Sequence, residues 1–170
     1  MTYKELSKKI NYDVSSIKID HKKLKPHGLS VYNLIIGRSD TAQFYVDNQI
    51  VMLQRGDYGK GLMHILDRHL CDCCDGWVNA RDIIFMGRVF DRGRKMTDYE
   101  VKDEYTDKPD HFHDSYDKGK EGYVLVLNGI QYFIIYAVDH GDKNKKIITY
   151  YTDRVNRCKE EVIAEPVALH

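Results

Sequence analysis

Apolar and polar positions change their period several times along the 170-residue chain. Between residues 4 and 25 the apolar positions are sparse. Leu6, Ile10 and Val14 recur at four-residue intervals, which predicts a short amphipathic helix before irregular chain leads to Pro26. The period then shortens. Residues 31–36, 42–46 and 50–53 are β-branched and aromatic runs, separated by Gly37-Arg38-Ser39-Asp40 and by Asp47-Asn48, and they predict strands. The last two form a tight hairpin, with Ala42, Phe44 and Val46 on one face and Gln43 and Tyr45 on the other.

Glycines between 56 and 61 break the strand pattern and lead into a helical period from Leu62 to about Leu70. A second helix is expected from Asn79, a suitable N-cap, to Asp91, with Gly93 as its stop. Residues 94–121 are acidic and poor in aliphatics, and read as an insertion anchored by Tyr99, Tyr105, Phe112 and Tyr116. Residues 123–127 and 130–138 then flank Asn128-Gly129, the dipeptide that a type I′ hairpin turn prefers. A looser turn and a strand over 146–152 complete a three-stranded meander. The order predicts an α+β fold, with helices packed on an antiparallel sheet. One domain is expected. Residues 1–55 form an N-terminal helix and hairpin region within it, 56–154 a core carrying the 94–121 insertion, and 155–170 a tail.

Composition narrows the class. Charged residues make up 31% and hydrophobic ones 42% of the chain, the balance of a soluble globular protein, and no apolar run approaches a membrane span. The lysine-rich start lacks the apolar core of a secretory signal, so a cytoplasmic protein with no membrane partner is expected. The formal net charge is zero, which argues against a uniformly basic nucleic-acid binder. Charge is unevenly spread, however: residues 81–95 are basic and 96–121 strongly acidic, so a local basic surface remains open.

The densest chemistry lies in Gly61-Leu62-Met63-His64-Ile65-Leu66-Asp67-Arg68-His69. At about 100° per residue, Leu62, Ile65, Leu66 and Leu70 share one face and His64, Asp67 and Arg68 the other. His69 falls on the apolar face, about 140° around a straight helix from His64. On that geometry only one histidine serves a given bond unless the helix end unwinds. His69 is then expected nearest the sheet, Arg68 at the mouth of a helix-to-sheet cleft, and His64→Ala milder than His69→Ala.

The helix reading Gly-Leu-x-His-Ile-Leu-x-Arg-His, the second helix with its Asp-Ile-Ile pattern, the Asn-Gly hairpin and the final strand Ile147-Ile148-Thr149-Tyr150-Tyr151 together resemble a known group. These are the barnase, EndoU, colicin and RelE-like (BECR) nucleases, in the subfamily carried by phages and mobile elements. The similarity covers roughly residues 56–154. It implies a helix pair on an antiparallel sheet and metal-independent ribonuclease activity of toxin or phage type. RNA is then the partner, alongside a cognate antitoxin or immunity protein, and no cofactor is needed. By this resemblance His64, Arg68 and His69 match the helix motif, and Thr149 and Tyr151 the last strand. The insertion over 94–121 is longer than the pattern, and residues 1–55 fall outside it.

These residue types suit that reaction. Histidine can take a proton from a 2′-hydroxyl or give one to a leaving oxygen, because its free pKa of about 6.5 lies near working pH. Arginine grips phosphate oxygens with a planar fork. Thr149 and Tyr151, two apart on a strand, would share a face and could hydrogen-bond the phosphate, although both are also ordinary strand formers.

Two other readings compete. Cys71 and Cys74 form a Cys-x-x-Cys pair that, with Cys158 and the imidazoles and carboxylates of Asp110-His111-Phe112-His113-Asp114, would meet the ligand count for zinc. No second pair stands at zinc-ribbon distance, and reduced cytosolic thiols explain the cysteines as well. Alternatively the chain keeps the scaffold as a non-catalytic binding or inhibitory module, with the aromatics of 99–116 as its interface.

Overall fold

The computed structural model describes residues 24–70, 78–101, 119–138 and 145–154, with Glu5 and Lys8 as isolated helical positions. The expected N-terminal helix, most of the 94–121 insertion, the tail and all four cysteines lie outside the described residues. The first element with described bounds is helix α1, Pro26–Ile35, and not the strand expected over 31–36. The β-branched run there is a helical stripe: Gly28, Val31, Leu34 and Ile35 are buried at helix spacing, and Pro26 opens the helix where its missing N–H has no intrahelical partner to lose. Gly37, with φ of 82°, ends it.

Strands β1 (Thr41–Val46) and β2 (Gln49–Gln54) form the expected hairpin. Asp47 and Asn48 both take positive φ, 50° and 62°, as a type I′ turn requires. Ala42, Phe44 and Val46 point into the core while Gln43 and Tyr45 face out.

Helix α2 covers Leu62–Arg68. The helix expected from Asn79 to Asp91 is two: α3, Ala80–Ile84, and α4, Gly87–Arg92. Ile83, Ile84, Met86, Val89 and Phe90 would spread over more than half the circumference of one straight helix, and the break at Phe85 and Met86 lets all five turn inward. Asn79 does cap α3: its Oδ1 accepts the Asp82 N–H at 2.8 Å, and Asp82 Oδ2 accepts the Asn79 N–H at 3.1 Å.

Strand β3 (Arg94–Lys95) follows directly, and then β4 (Lys120–Leu127), β5 (Ile130–Ala137) and β6 (Lys145–Arg154) make the meander. Asn128 and Gly129, at φ 51° and 77°, form its type I′ turn. The strands join in one sheet of order β1-β2-β6-β5-β4-β3.

The sheet is mixed, which corrects the antiparallel expectation. Hairpin neighbours run antiparallel, but β2 and β6 run parallel through Val51↔Lys145 and Met52↔Lys146. The chain between them passes through α2, α3, α4 and strands β3 to β5 before it returns in the same direction, an arrangement that counting hairpins does not reveal. The fold is α+β, with helices on a single curled sheet. Tyr123 on β4 donates its hydroxyl proton to Asp47 in the β1–β2 turn, although three strands separate β4 from β1. Beside it, Glu121 accepts from Lys145 Nζ at 2.9 Å and from the Tyr136 hydroxyl at 3.0 Å, with Lys95 Nζ at 3.2 Å.

The inner face of the curl holds the main core, where Phe90 of α4 meets Phe44, Tyr123 and Tyr136. The opposite face carries a smaller cluster of Met96, Val101, Val124, Phe133, Ile135 and Tyr151. No helix among the described residues is long and apolar enough to cross a membrane.

Candidate functional site

Beyond Met52, β2 no longer pairs with β6, and the loop 55–61 and α2 take its place. The Gly61 N–H donates to the Ile148 carbonyl at 2.9 Å, and the Met63 N–H to the Arg55 carbonyl at 2.9 Å. Gly61 has φ of 81°, and a Cβ there would stand 2.9 Å from the Gln54 carbonyl oxygen, so the approach depends on glycine. Leu62, Ile65 and Leu66 are buried in the main core. The imidazoles of the same segment lie toward the smaller cluster.

The helix ends at Arg68. His69 is its C-cap, at φ −122° and ψ −9°, and so has left helical geometry. Its carbonyl accepts the Val78 N–H at 2.7 Å, which fixes the departing chain. The straight-helix expectation for the two histidines therefore does not hold: the His64 and His69 ring centroids are 5.2 Å apart, edge to face. His69 lies 5.7 Å from the Tyr151 ring, which stacks on Phe133 at 5.2 Å. Four aromatic rings thus form a row from β5 across β6 to α2. This removes the ground for ranking His64→Ala below His69→Ala.

Thr149 is two residues before Tyr151 on β6, opposite Ile135, and only 1% exposed. Its Oγ1 has no hydrogen-bond partner among the described residues. A buried hydroxyl in that condition is uncommon, because the desolvation it suffers goes uncompensated. Arg68 extends to solvent from the last turn of α2, with Asp67 Oδ2 at 3.8 Å from its Nε. The structure therefore brings His64, His69 and Tyr151 together, puts Thr149 on the strand face that carries Tyr151, and leaves Arg68 at the rim.

His64 is not the solvated residue its helix face suggested. Its Nδ1 is 2.8 Å from the Tyr58 carbonyl oxygen. A carbonyl only accepts, so Nδ1 carries a proton, and in the neutral ring Nε2 holds the lone pair. Nε2 is buried and has no partner among the described residues. Burial holds the His64 pKa below its ordinary value; the Tyr58 carbonyl and the carboxylates of Asp67 and Asp57 oppose this, and the Arg68 charge adds to it. The ring is thus neutral at pH 7 with a basic nitrogen already desolvated, suited to accepting a proton.

The Tyr58 contact was missed in the sequence, where 56–61 reads as a flexible break. Asp57-x-Gly59 is the local signal that could have shown it, since an aspartate commonly bonds backbone N–H groups two residues on. Cys71, Cys74 and Cys158 lie outside the described residues, and among the described residues no group of three or more His, Cys, Asp or Glu side chains is arranged to hold a metal. No family model matches the chain, and no curated protein or solved structure matches it significantly.

Proposed function

We propose that this chain is a ribonuclease of toxin or phage type that cleaves RNA without a metal ion, by attack of a 2′-hydroxyl on the adjacent phosphate. The observation that carries the reading is the pairing of two imidazoles 5.2 Å apart, one of them tautomerically fixed with a buried basic nitrogen. In the proposed reaction His64 Nε2 takes the proton of the 2′-hydroxyl. The oxygen attacks phosphorus, the bond to the 5′-oxygen breaks, and His69 protonates that leaving oxygen. The products are a 2′,3′-cyclic phosphate and a free 5′-hydroxyl. Thr149 and Tyr151 donate hydrogen bonds to the phosphorane, and Arg68 supplies a cation at its rim. The likeness of the helix motif and last strand to BECR nucleases supports the same assignment, as does an α+β fold.

The test is cleavage of a single-stranded RNA by wild type, His64→Ala, His69→Ala and Arg68→Ala, with circular dichroism on each. Removing a general acid or base costs roughly a hundredfold or more in kcat, so both histidine variants should lose at least that much while folded. Wild-type activity in both folded histidine variants would refute the assignment.

A further inference from the structure

The loop ahead of α2 contains a carboxylate that takes no part in the chemistry above. Asp57 Oδ1 accepts the Gly59 N–H at 2.8 Å and the Lys60 N–H at 3.2 Å. The Asp57 backbone also exchanges hydrogen bonds with Lys60, N–H to carbonyl at 2.9 Å one way and 3.3 Å the other. Gly56 and Gly61, at φ 69° and 81°, close the loop from outside, so tightly that a Cβ on Gly56 would lie 2.0 Å from the Lys60 carbonyl oxygen. This loop is a braced turn.

The Tyr58 carbonyl and the Gly59 N–H belong to one planar peptide unit, and in a trans peptide they point in opposite directions. Asp57 grips the N–H end of that plane and His64 Nδ1 grips the C=O end. A peptide plane can rotate about the single bonds on either side of it, so a carbonyl held at one end only would be a poor guide for an imidazole. Held at both ends, it is fixed. A carboxylate on the N–H also polarises the amide and strengthens its carbonyl as an acceptor. Catalytic histidines are commonly oriented by a carboxylate directly; here a peptide group stands between the two.

We propose that Asp57 is a positioning residue for His64, acting through the Tyr58–Gly59 peptide to hold the Nδ1–H tautomer and so keep Nε2 available as the base. The interposed neutral group matters for pH. A carboxylate touching the ring would add a full charge in favour of the imidazolium, whereas the neutral carbonyl sets the tautomer and, although it is the largest influence raising the ring's pKa, leaves burial dominant. Asp57, Asp67, Arg68, the His69 ring and the Tyr58 carbonyl are the groups that face His64, and burial outweighs the two carboxylates. The proposal rests on His64 being the base, and its main readout does not depend on RNA cleavage.

Nitrogen-15 NMR of histidine-labelled protein above pH 7.5 reports which ring nitrogen carries the proton; His64 is identified among the eight histidines by its loss in His64→Gln. Wild type should show Nδ1–H. Asp57→Ala should move the tautomer ratio toward Nε2–H by roughly threefold or more, the worth of one modest hydrogen bond. Asp57→Asn keeps an acceptor oxygen in place and should resemble wild type. Asp57→Glu keeps the charge but displaces the oxygen, and should resemble Asp57→Ala. RNA cleavage should follow the same order through kcat with KM unchanged. An Nε2–H wild type, an unmoved ratio in Asp57→Ala, or Glu rescuing where Asn does not would each overturn the proposal. Inactive wild type with the tautomer pattern intact would overturn only the ribonuclease reading.

Discussion

Replacing Thr149 with valine separates a structural role from a functional one, because the two predict opposite signs. The residue is 1% exposed and its Oγ1 is without a partner among the described residues. A buried hydroxyl left unpaired costs about 1–3 kcal/mol relative to its hydrated state. Valine has nearly the same shape, suits a strand at least as well and removes the unpaired atom. Taking the low end of that range, Thr149→Val should stabilise the fold by about 1 kcal/mol, or about 2–4 °C in Tm for a chain of this size. Activity should move the other way. If the hydroxyl donates to the phosphorane, its loss should lower kcat by roughly a hundredfold with little change in KM. Thr149→Ser keeps the hydroxyl and loses a buried methyl, so it should be less stable yet active. Thermal melts followed by circular dichroism and cleavage of a fluorogenic oligonucleotide read both quantities. A lower Tm for Thr149→Val would mean that the hydroxyl is satisfied and structural, and an unchanged kcat would remove Thr149 from the site.

Phe90 is 7% exposed with three aromatic rings around it, so Phe90→Ala should destabilise by about 3–5 kcal/mol, read as a lower urea midpoint at unchanged m. The acid limb of kcat/KM should have its midpoint below about 6.5, because the base His64 is held below its ordinary pKa. The same shift has a stability sign: above pH 6.5 both folded and unfolded His64 are neutral, and on acidification the unfolded form binds its proton first. Stability should therefore fall as pH drops below about 6.5, and His64→Gln should lose that part of the slope; an unchanged slope would contradict it. Purified protein should contain no stoichiometric zinc and cleavage should survive EDTA, whereas loss restored by zinc would move the chemistry to Cys71, Cys74 and Cys158.

Local signals were legible and the joins between them were not. Both type I′ turns, the Asn79 cap and the alternation of Ala42, Phe44 and Val46 are properties of adjacent residues, and each could be read from spacing. The run at 31–36 has the composition of a strand but folds as a helix, because β-branched residues favour strands only on average and Pro26 supplies a helix start. The parallel contact between β2 and β6 joins Val51 to Lys145, a pairing that no local pattern encodes. At the site, the chemistry-bearing residues were visible as types. Their convergence was not, because it depends on His69 leaving the helix and on a backbone carbonyl at Tyr58 that has no side-chain signature.

The parallel contact between β2 and β6 also bears on how the chain acquires its function in time. The pairings within β1–β2 and within β4, β5 and β6 span short sequence separations, so each set can form early and independently. Joining them at Val51↔Lys145 requires closing most of the intervening chain, the slowest kind of contact to make. The Gly61 N–H meets Ile148 only once that join exists, and it brings the His64 and His69 helix against the strand that carries Thr149 and Tyr151. Assembly of the site is thereby tied to the docking of the β1–β2 hairpin on β6. A chain still emerging from the ribosome has its histidines long before it has β6, and so carries the residues of the site without its geometry.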